Sequence, residues 1–394
     1  MQVSEPRQLT PSDHNHFFGY YEISPWSANG RYFVCLETDF QDHMPRIGEK
    51  ARILLLDLKE NTQRILTETQ AWNFQQGAML HWLPSAQNNK IIFNDCSEDG
   101  LISRILDIQT EEEYALPLAI NGIAHTKDKA LCVSFTRLKK NRPVTSYPCK
   151  TSISGNGSHP KDDGAFLMDL QTGDSELIVS LDEIWNRNRI TREGKEMPLK
   201  AKLFGTDLWF NHLGFSPDDS RFFFLARFTN WFRSLVSSMW TFGVDGSDPF
   251  LTVNFKHEGQ YSKLSHFGWK DNETLIVTMK YLEESKHSHV LIKDRDGESR
   301  VIAPKKLTWD GHPAFSPDRR YMATDTYLVK GKRYVYIVDL NTEEVHEVAS
   351  FPNPLRLYGR LRCDPHPRWS PDGSQLSFDG LGKNGRQVFV IDIN

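Results

Sequence analysis

Short runs of β-branched, aromatic and aliphatic residues recur along the chain, and each closes on or just before an acidic residue. The copies are Ile53-Leu54-Leu55-Leu56-Asp57, Arg104-Ile105-Leu106-Asp107, Phe166-Leu167-Met168-Asp169, Trp240-Thr241-Phe242-Gly243-Val244-Asp245, Val290-Leu291-Ile292-Lys293-Asp294, Tyr334-Val335-Tyr336-Ile337-Val338-Asp339 and Val388-Phe389-Val390-Ile391-Asp392. Polar turns rich in Asp, Gly and Asn separate them, a pattern of antiparallel strands rather than amphipathic helices. Seven such units, spaced at or above the length of a four-stranded blade, predict an all-β, seven-bladed β-propeller.

A second marker supports the count. Asp364-Pro365-His366-Pro367-Arg368-Trp369-Ser370-Pro371-Asp372-Gly373 reads as a polar loop, a short strand and a turn. Pro presets φ for such a turn, and Gly tolerates φ > 0 at its end. Related phrases stand at Gly311 to Asp318 and Asn211 to Asp218, with a degraded copy at Ser265 to Asp271. Ser24-Pro25, Leu83-Pro84 and His125-Thr126 mark the remaining units. The last marked strand runs to the end of the sequence and leaves no residues for an outer strand. The segment Pro6-Arg7-Gln8-Leu9-Thr10 resembles outer strands elsewhere, so the N-terminal strand is expected to complete the last blade and close the ring. Residues 1–394 then form a single propeller domain. Two stretches exceed what a blade needs: Arg137 to Asp163, a loop that could lean over one mouth of the ring, and Asp182 to Leu203, whose Asp182-Glu183-Ile184-Trp185 could open a short helix.

Composition narrows the partners. A formal charge of −4 argues against nucleic acid and anionic membranes, and no long apolar run suggests a membrane span. Aromatic content of 12% suits sugar-binding surfaces as well as strands. The five cysteines are scattered without a CxxC pair, which indicates neither a disulfide framework nor a zinc ribbon. With no apolar leader at the N-terminus, a soluble cytoplasmic protein is expected. The oligomeric state is not legible.

The loop before each inner strand of a propeller points at the central channel. Four residues before each turn serine or its equivalent stand Tyr20, Met79, Asn121, His212, His266, His312 and His366. Four consecutive blades therefore present histidine at one level, where symmetry would gather the imidazoles about one axis. Histidine is both the usual base near neutral pH and a common metal ligand. Asp310 and Asp364, each two residues before its histidine, could add a carboxylate. The phrase Asp13-His14-Asn15-His16-Phe17-Phe18-Gly19-Tyr20-Tyr21 offers His14 and His16, a His-x-His pair, as two ligands, and Tyr20 and Tyr21 as a phenol for proton transfer or a sugar platform. Gln75 and Gln76 precede the second blade and could meet a sugar. Arg227 and Arg233 fall in an expected connecting loop, and Arg360, Arg362 and Arg368 flank His366; guanidinium forks match carboxylates. No Walker or Rossmann loop, Gly-x-Ser-x-Gly elbow or HExxH appears.

The chain resembles the oligogalacturonate lyase family, propeller enzymes with TolB-like repeats. The resemblance rests on Asp364 to Gly373, on His312 and His266 at their blade entrances, and on the aromatic phrase from His16 to Tyr21. It implies β-elimination on a uronic-acid-containing oligosaccharide, assisted by a divalent metal, manganese first and calcium as the alternative. His266 would be the base, and His312 and His366 metal ligands. Asp364 stands where the family has another histidine, a departure manganese tolerates. Leu361 stands near the family's glutamine ligand and cannot ligate. Arg227 and Arg233 are the nearest counterparts of the stabilising arginine, with Tyr20 beside them. His16, Tyr21, Gln75, Gln76, His212 and Arg368 would contact the acidic substrate. Two alternatives stay open: a non-catalytic TolB-like propeller that binds glycan or protein, and a glycan-modifying enzyme of surface polysaccharide synthesis whose basic loops contact phosphates.

Overall fold

The structure, a computed structural model, describes residues 1–86, 88–150, 157–187, 207–229, 235–253, 261–281, 285–354 and 356–394. They form seven four-stranded antiparallel sheets, each built from strands consecutive in sequence except at the seam. The recurring apolar-to-acidic runs lie on the third strand of each blade, such as Ala51–Asp57, Leu101–Asp107 and Lys332–Asp339. The acidic residue recurs for a local reason. Asp57, Asp107, Asp169 and Asp339 each accept backbone N–H bonds from the residues two and three positions on, at 2.8–3.3 Å. The carboxylate thereby fixes the hairpin into the outer strand.

The Ser-Pro-Asp turns are equally explicit. Ser216, Ser316 and Ser370 each donate Oγ–H to the Asp two residues on, at 2.5–2.6 Å. The same hydroxyls accept the N–H of Arg221, Tyr321 and Gln375, which pins the turn to the start of the second strand. The aromatic residue before the turn joins neighbouring blades: Trp82, Trp269 and Trp369 donate Nε1–H to carbonyls of Pro25, Gly214 and Ala314 at 2.9–3.1 Å. Buried phenylalanines, among them Phe33, Phe93, Phe222, Phe224 and Phe242, fill the layers of the core.

The ring closes as the sequence predicts. Arg7–Gln8 pairs antiparallel with Arg386–Asp392 in the last blade. Leu9 N–H to Val388 O (2.8 Å), Ser4 N–H to Asp392 O (3.0 Å) and a mutual Gln2–Asn394 pair (2.9 Å each) extend the seam. At about 1 kcal/mol per backbone bond, deleting residues 1–10 is expected to cost about 4–6 kcal/mol and to expose the 386–392 edge to aggregation. Calorimetry with light scattering checks this; an unchanged unfolding midpoint would contradict it.

Three expectations are corrected. Arg227 is not in a loop, because the second strand of the fourth blade runs on over Arg221–Thr229. The first long insert carries a helix, Phe135–Asn141, and a 3-10 turn, Pro143–Thr145, before its tail. Cys96 and Cys149 are disulfide-bonded, with Cα atoms 5.6 Å apart, while Cys35, Cys132 and Cys363 are free and buried. The pairing was hidden because the insert doubles back across 53 residues to the second blade. The second insert opens with the helix Leu181–Arg187, and the rest of it, 188–203, lies outside the described residues.

Candidate metal centre and axial pocket

Local irregularity aims the histidines. His212 lies in Trp209–Phe215 and His266 in Tyr261–Trp269, each where the pairing register slips, between Asn211 and Gly214 and between Leu264 and Phe267. A bulge re-aims a side chain that a regular pleat would send elsewhere. His312 and His366 stand on loops just ahead of the two-residue inner strands Ala314–Phe315 and Arg368–Trp369.

Three imidazoles from successive blades converge. Ring centroids are 3.9 Å apart for His266–His312 and 4.2 Å for His312–His366. The Tyr21 ring caps all three at 5.8, 5.1 and 6.0 Å from His266, His312 and His366. The fourth, His212, belongs to a different pair: its Nδ1 is 2.8 Å from the Tyr20 hydroxyl.

One carboxylate that sequence reasoning missed organises the cluster. Asp325 ends the second strand of the sixth blade, Tyr321–Asp325. Its Oδ1 accepts the His312 N–H at 2.8 Å and lies 2.8 Å from His312 Nδ1; its Oδ2 accepts the His366 N–H at 2.9 Å. Burial opposes its ionisation, but the His312 contacts outweigh this and hold its carboxyl below the usual range. A carboxylate on Nδ1 keeps the proton there and presents the Nε2 lone pair of His312 to the site.

The ligand atoms of His312, Asp364 and His366 all lie within 4.8 Å of one another, and all three residues are buried. His366 Nδ1 is buried with no hydrogen-bond partner among the described residues, and burial followed by the His312 charge keeps this imidazole neutral. Asp364 is held between two guanidinium groups: Oδ1 accepts from Arg333 Nη1 and Oδ2 from Arg362 Nε, both at 2.6 Å. Each oxygen retains a lone pair. Two imidazoles and one carboxylate, with a carboxylate behind one imidazole, fit a divalent cation of the manganese type.

His266 is set apart from that triad by its environment. Its Nδ1 lies 3.0 Å from Asp310 Oδ1, and its Nε2 is 3.3 Å from the Tyr327 hydroxyl. Burial, then the His312 charge, push it down to about 4 against the pull of Asp310, so it is unprotonated near neutral pH. Asp310 is held ionised despite burial by His266 and Lys263, and Ser265 Oγ donates to it at 3.0 Å. Arg227 is buried; its Nε donates to Ser237 Oγ at 3.0 Å and an Nη2–H to Leu264 O at 3.3 Å. Burial and the neighbouring Arg142 push it down to about 9, and it remains a cation. Burial pushes the Tyr20 and Tyr21 phenols up, so both keep their protons.

Two glycines let this tyrosine pair reach the axis. A Cβ on Gly19 would meet the Gly77 backbone at 2.5 Å, and one on Gly77 would collide with the Phe18 carbonyl. Asp379 then holds the loop from below, accepting from Phe18 N–H at 3.1 Å, Gly19 N–H at 2.9 Å and Arg368 Nη2 at 2.7 Å. Beyond Tyr20 and His212, toward the far ends of the inner strands, the channel opens into a cavity of about 560 Å³.

The remaining sequence candidates are placed elsewhere. His16 is fully buried, with Nε2 2.9 Å from Glu37 Oε2 and Nδ1 3.3 Å from Gln387 Oε1. Arg368 is buried, bonded to Asp379 and stacked 5.0 Å from the Phe18 ring, a supporting rather than a presented guanidinium. Gln75 donates to the Arg362 carbonyl at 2.9 Å, which steadies the loop ahead of Asp364, while its buried Oε1 has no partner among the described residues. Gln76 is buried beside it, its N–H bonded to Asn73 Oδ1 at 2.9 Å. Arg233 lies outside the described residues.

No protein-family model matches the chain, and no curated protein sequence does. Solved structures do. An oligogalacturonate lyase in complex with manganese aligns over 100% of this chain and 96% of its own, with a TM-score of 0.70 at 16% identity. An oligogalacturonate lyase from Vibrio parahaemolyticus aligns over 100% and 98%, with a TM-score of 0.67 at 13% identity. The β-propeller domain of the trilobed protease from Pyrococcus furiosus covers 96% of both chains, with a TM-score of 0.55 at 11% identity. At such identities the likeness is one of fold: this chain is a seven-bladed propeller built like two oligogalacturonate lyases over nearly their whole lengths.

Proposed function

We propose that the chain is a metal-dependent lyase that cleaves a uronic-acid-containing oligosaccharide by β-elimination. The observation that carries this reading is the convergence of His266, His312 and His366 at one mouth of the ring, with Asp364 completing a ligand set for a cation. Two similarly folded solved proteins are oligogalacturonate lyases, one of them with manganese, which supports the same direction.

A carbon acid alpha to a carboxylate is very weakly acidic. Elimination therefore needs its negative charge neutralised and a base held on the same face. A divalent cation held by His312, His366 and Asp364 would supply that neutralisation at the substrate carboxylate. The chain supplies the rest. His266, kept unprotonated by burial and with Asp310 Oδ1 3.0 Å from its Nδ1, takes the proton alpha to the carboxylate at Nε2. The Tyr327 hydroxyl, 3.3 Å from that nitrogen, donates to its lone pair at rest and can accept its N–H once the proton has transferred. Arg227 provides a buried cation for the charge that develops as the C–H bond breaks. Tyr20, proton-bearing and held at 2.8 Å by His212 Nδ1, is placed to protonate the departing glycosidic oxygen; the phenolate it leaves is reprotonated, and His266 deprotonated, by exchange with solvent, which closes the cycle. Tyr21 closes the other side of the imidazoles and excludes water from them.

The test is the ultraviolet absorbance of an unsaturated uronate. Purified protein with added manganese should raise it on galacturonate or glucuronate oligosaccharides. No new absorbance on any of them contradicts the reading.

A further inference from the structure

The first blade sends a segment across the ring. Its inner strand breaks off after Asn15–Phe17 and resumes only at the Trp26–Phe33 bridge, and the residues between leave the sheet. They reach blades on the opposite side. The Tyr20 hydroxyl is 2.8 Å from His212 Nδ1 of the fourth blade, and the Tyr21 hydroxyl donates to the Phe267 carbonyl of the fifth at 3.2 Å. Glu22 goes one residue further along the same strand, to Gly268, where a Cβ would fall on the Glu22 carboxylate. Glu22 takes this course at a φ of 66°, which few residues with a side chain adopt. The crossing divides the channel. The histidine cluster, capped by Tyr21, lies on one side, and the cavity of about 560 Å³, lined by Tyr20 and Glu22, lies on the other.

That cavity has the make-up of a binding site. Its volume of about 560 Å³ falls among those of small-molecule sites, roughly 300–1,000 Å³. Trp82, Trp269 and Trp369 stand in its wall, and each indole is fixed by its Nε1–H bond to the blade before it. Against this aromatic wall stand two charged side chains, Glu22 and Arg319. Among the described residues neither side chain forms a hydrogen bond or an ion pair within 4 Å. Apolar walls with a small number of placed polar groups are the usual composition of a ligand pocket.

The two charged groups ask for different partners. Arg319 follows the Ser316-Pro317-Asp318 turn, and its N–H closes that turn on Ser316 O at 2.8 Å, which fixes the backbone that carries the guanidinium. A guanidinium fork matches a carboxylate. Glu22 is exposed into the cavity, yet protein encloses it closely enough that burial pushes its carboxyl up, against the pull of Arg319. A carboxyl that takes up a proton so readily bonds hydroxyl groups as donor and as acceptor, and holds an ammonium poorly. A carboxylate, several hydroxyls and an apolar ring face, together in one small molecule, describe a sugar acid.

We propose that the chamber opposite the histidine mouth is a second ligand site, for a monomeric sugar acid whose carboxylate meets Arg319, whose hydroxyls meet Glu22 and whose ring lies against the indoles. The site is independent of the elimination proposed above. His312, His366 and Asp364 lie beyond the two tyrosines and contribute nothing to its lining.

Calorimetry and tryptophan fluorescence on the full-length chain, with a chelator present, test this. D-Galacturonate, D-glucuronate and D-galactose are titrated into wild type, His312→Ala, Glu22→Ala and Arg319→Gln, and the unfolding midpoint of each variant verifies its fold. One of the two uronates should bind wild type at one saturable site per chain and change the indole emission. His312→Ala should bind it within twofold of wild type. Arg319→Gln should bind it about tenfold or more weakly, the scale of one charge-assisted hydrogen-bond pair, and Glu22→Ala should weaken it by a similar factor. Arg319→Gln lies on an exposed turn and keeps the test open if Glu22→Ala does not fold. Four results would each overturn the proposal: no saturable binding of either uronate, loss of binding in His312→Ala, galactose bound as tightly as the uronate, or Arg319→Gln within twofold of wild type. None of them bears on the lyase reading, which is decided by unsaturated product under manganese.

Discussion

Replacing His266 with alanine is expected to lower kcat for elimination by about 10²–10⁴-fold, the usual contribution of a positioned general base, while manganese stoichiometry stays at the wild-type value. The two readouts separate because His266 is built differently from its neighbours. His312 has its Nδ1 on Asp325, whereas His266 has Asp310 beside Nδ1 and Tyr327 at Nε2. It shares ring contact with His312 at 3.9 Å but is not one of the three residues whose ligand atoms cluster. Rates from ultraviolet absorbance, paired with metal analysis of the same preparations, check this. Loss of metal together with activity would move His266 into the ligand set; full activity would remove it from the mechanism.

The second large effect is expected at Asp325, which stands behind the ligating histidines rather than among the ligands. Asp325→Asn keeps the volume but turns one acceptor end into a donor that faces N–H groups. Those groups are the His312 amide, His312 Nδ1 and the His366 amide. Manganese affinity should fall by about 10–100-fold, the cost of losing a carboxylate behind a metal-bound imidazole. Stability should fall by about 2–4 kcal/mol, since buried donors are left unsatisfied. Metal titration and calorimetry on the variant measure both. A variant as stable as wild type and with the same affinity would show that the latch is ornamental.

That latch is also where the sequence stopped being readable. The blade count was legible because its signals are local: an Asp that caps its own hairpin and a Ser-Pro-Asp turn closed by its own hydroxyl. The histidine register was legible because it is counted from those turns. Asp325 works across the seam between blades, 41 residues from the His366 amide it holds. A repeat was nevertheless present. Asp379, at the matching place in Gln375–Leu381, latches Phe18 and Gly19 of the first blade, and Asn94 in Lys90–Cys96 latches Ile120 of the third. A polar residue in the second half of an otherwise apolar second strand was the available sign. Inner strands of two residues, such as Ala314–Phe315, are too short for any periodicity. Arg227 was misplaced because Phe228 and Thr229 extend the fourth blade's strand past the usual length. His16 imitates a ligand in the sequence because His-x-His does, yet Glu37 and Gln387, distant in sequence, occupy both its ring nitrogens.

The proposed elimination depends on a cation seated between the loops that enter the sixth and seventh blades. Metal-free protein titrated with manganese, wild type beside His312→Ala and with the fold of each verified by its unfolding midpoint, tests it most directly. One saturable site per chain is expected in wild type, and its loss in the variant. Equal binding by both proteins, or no saturable site in wild type, would contradict it.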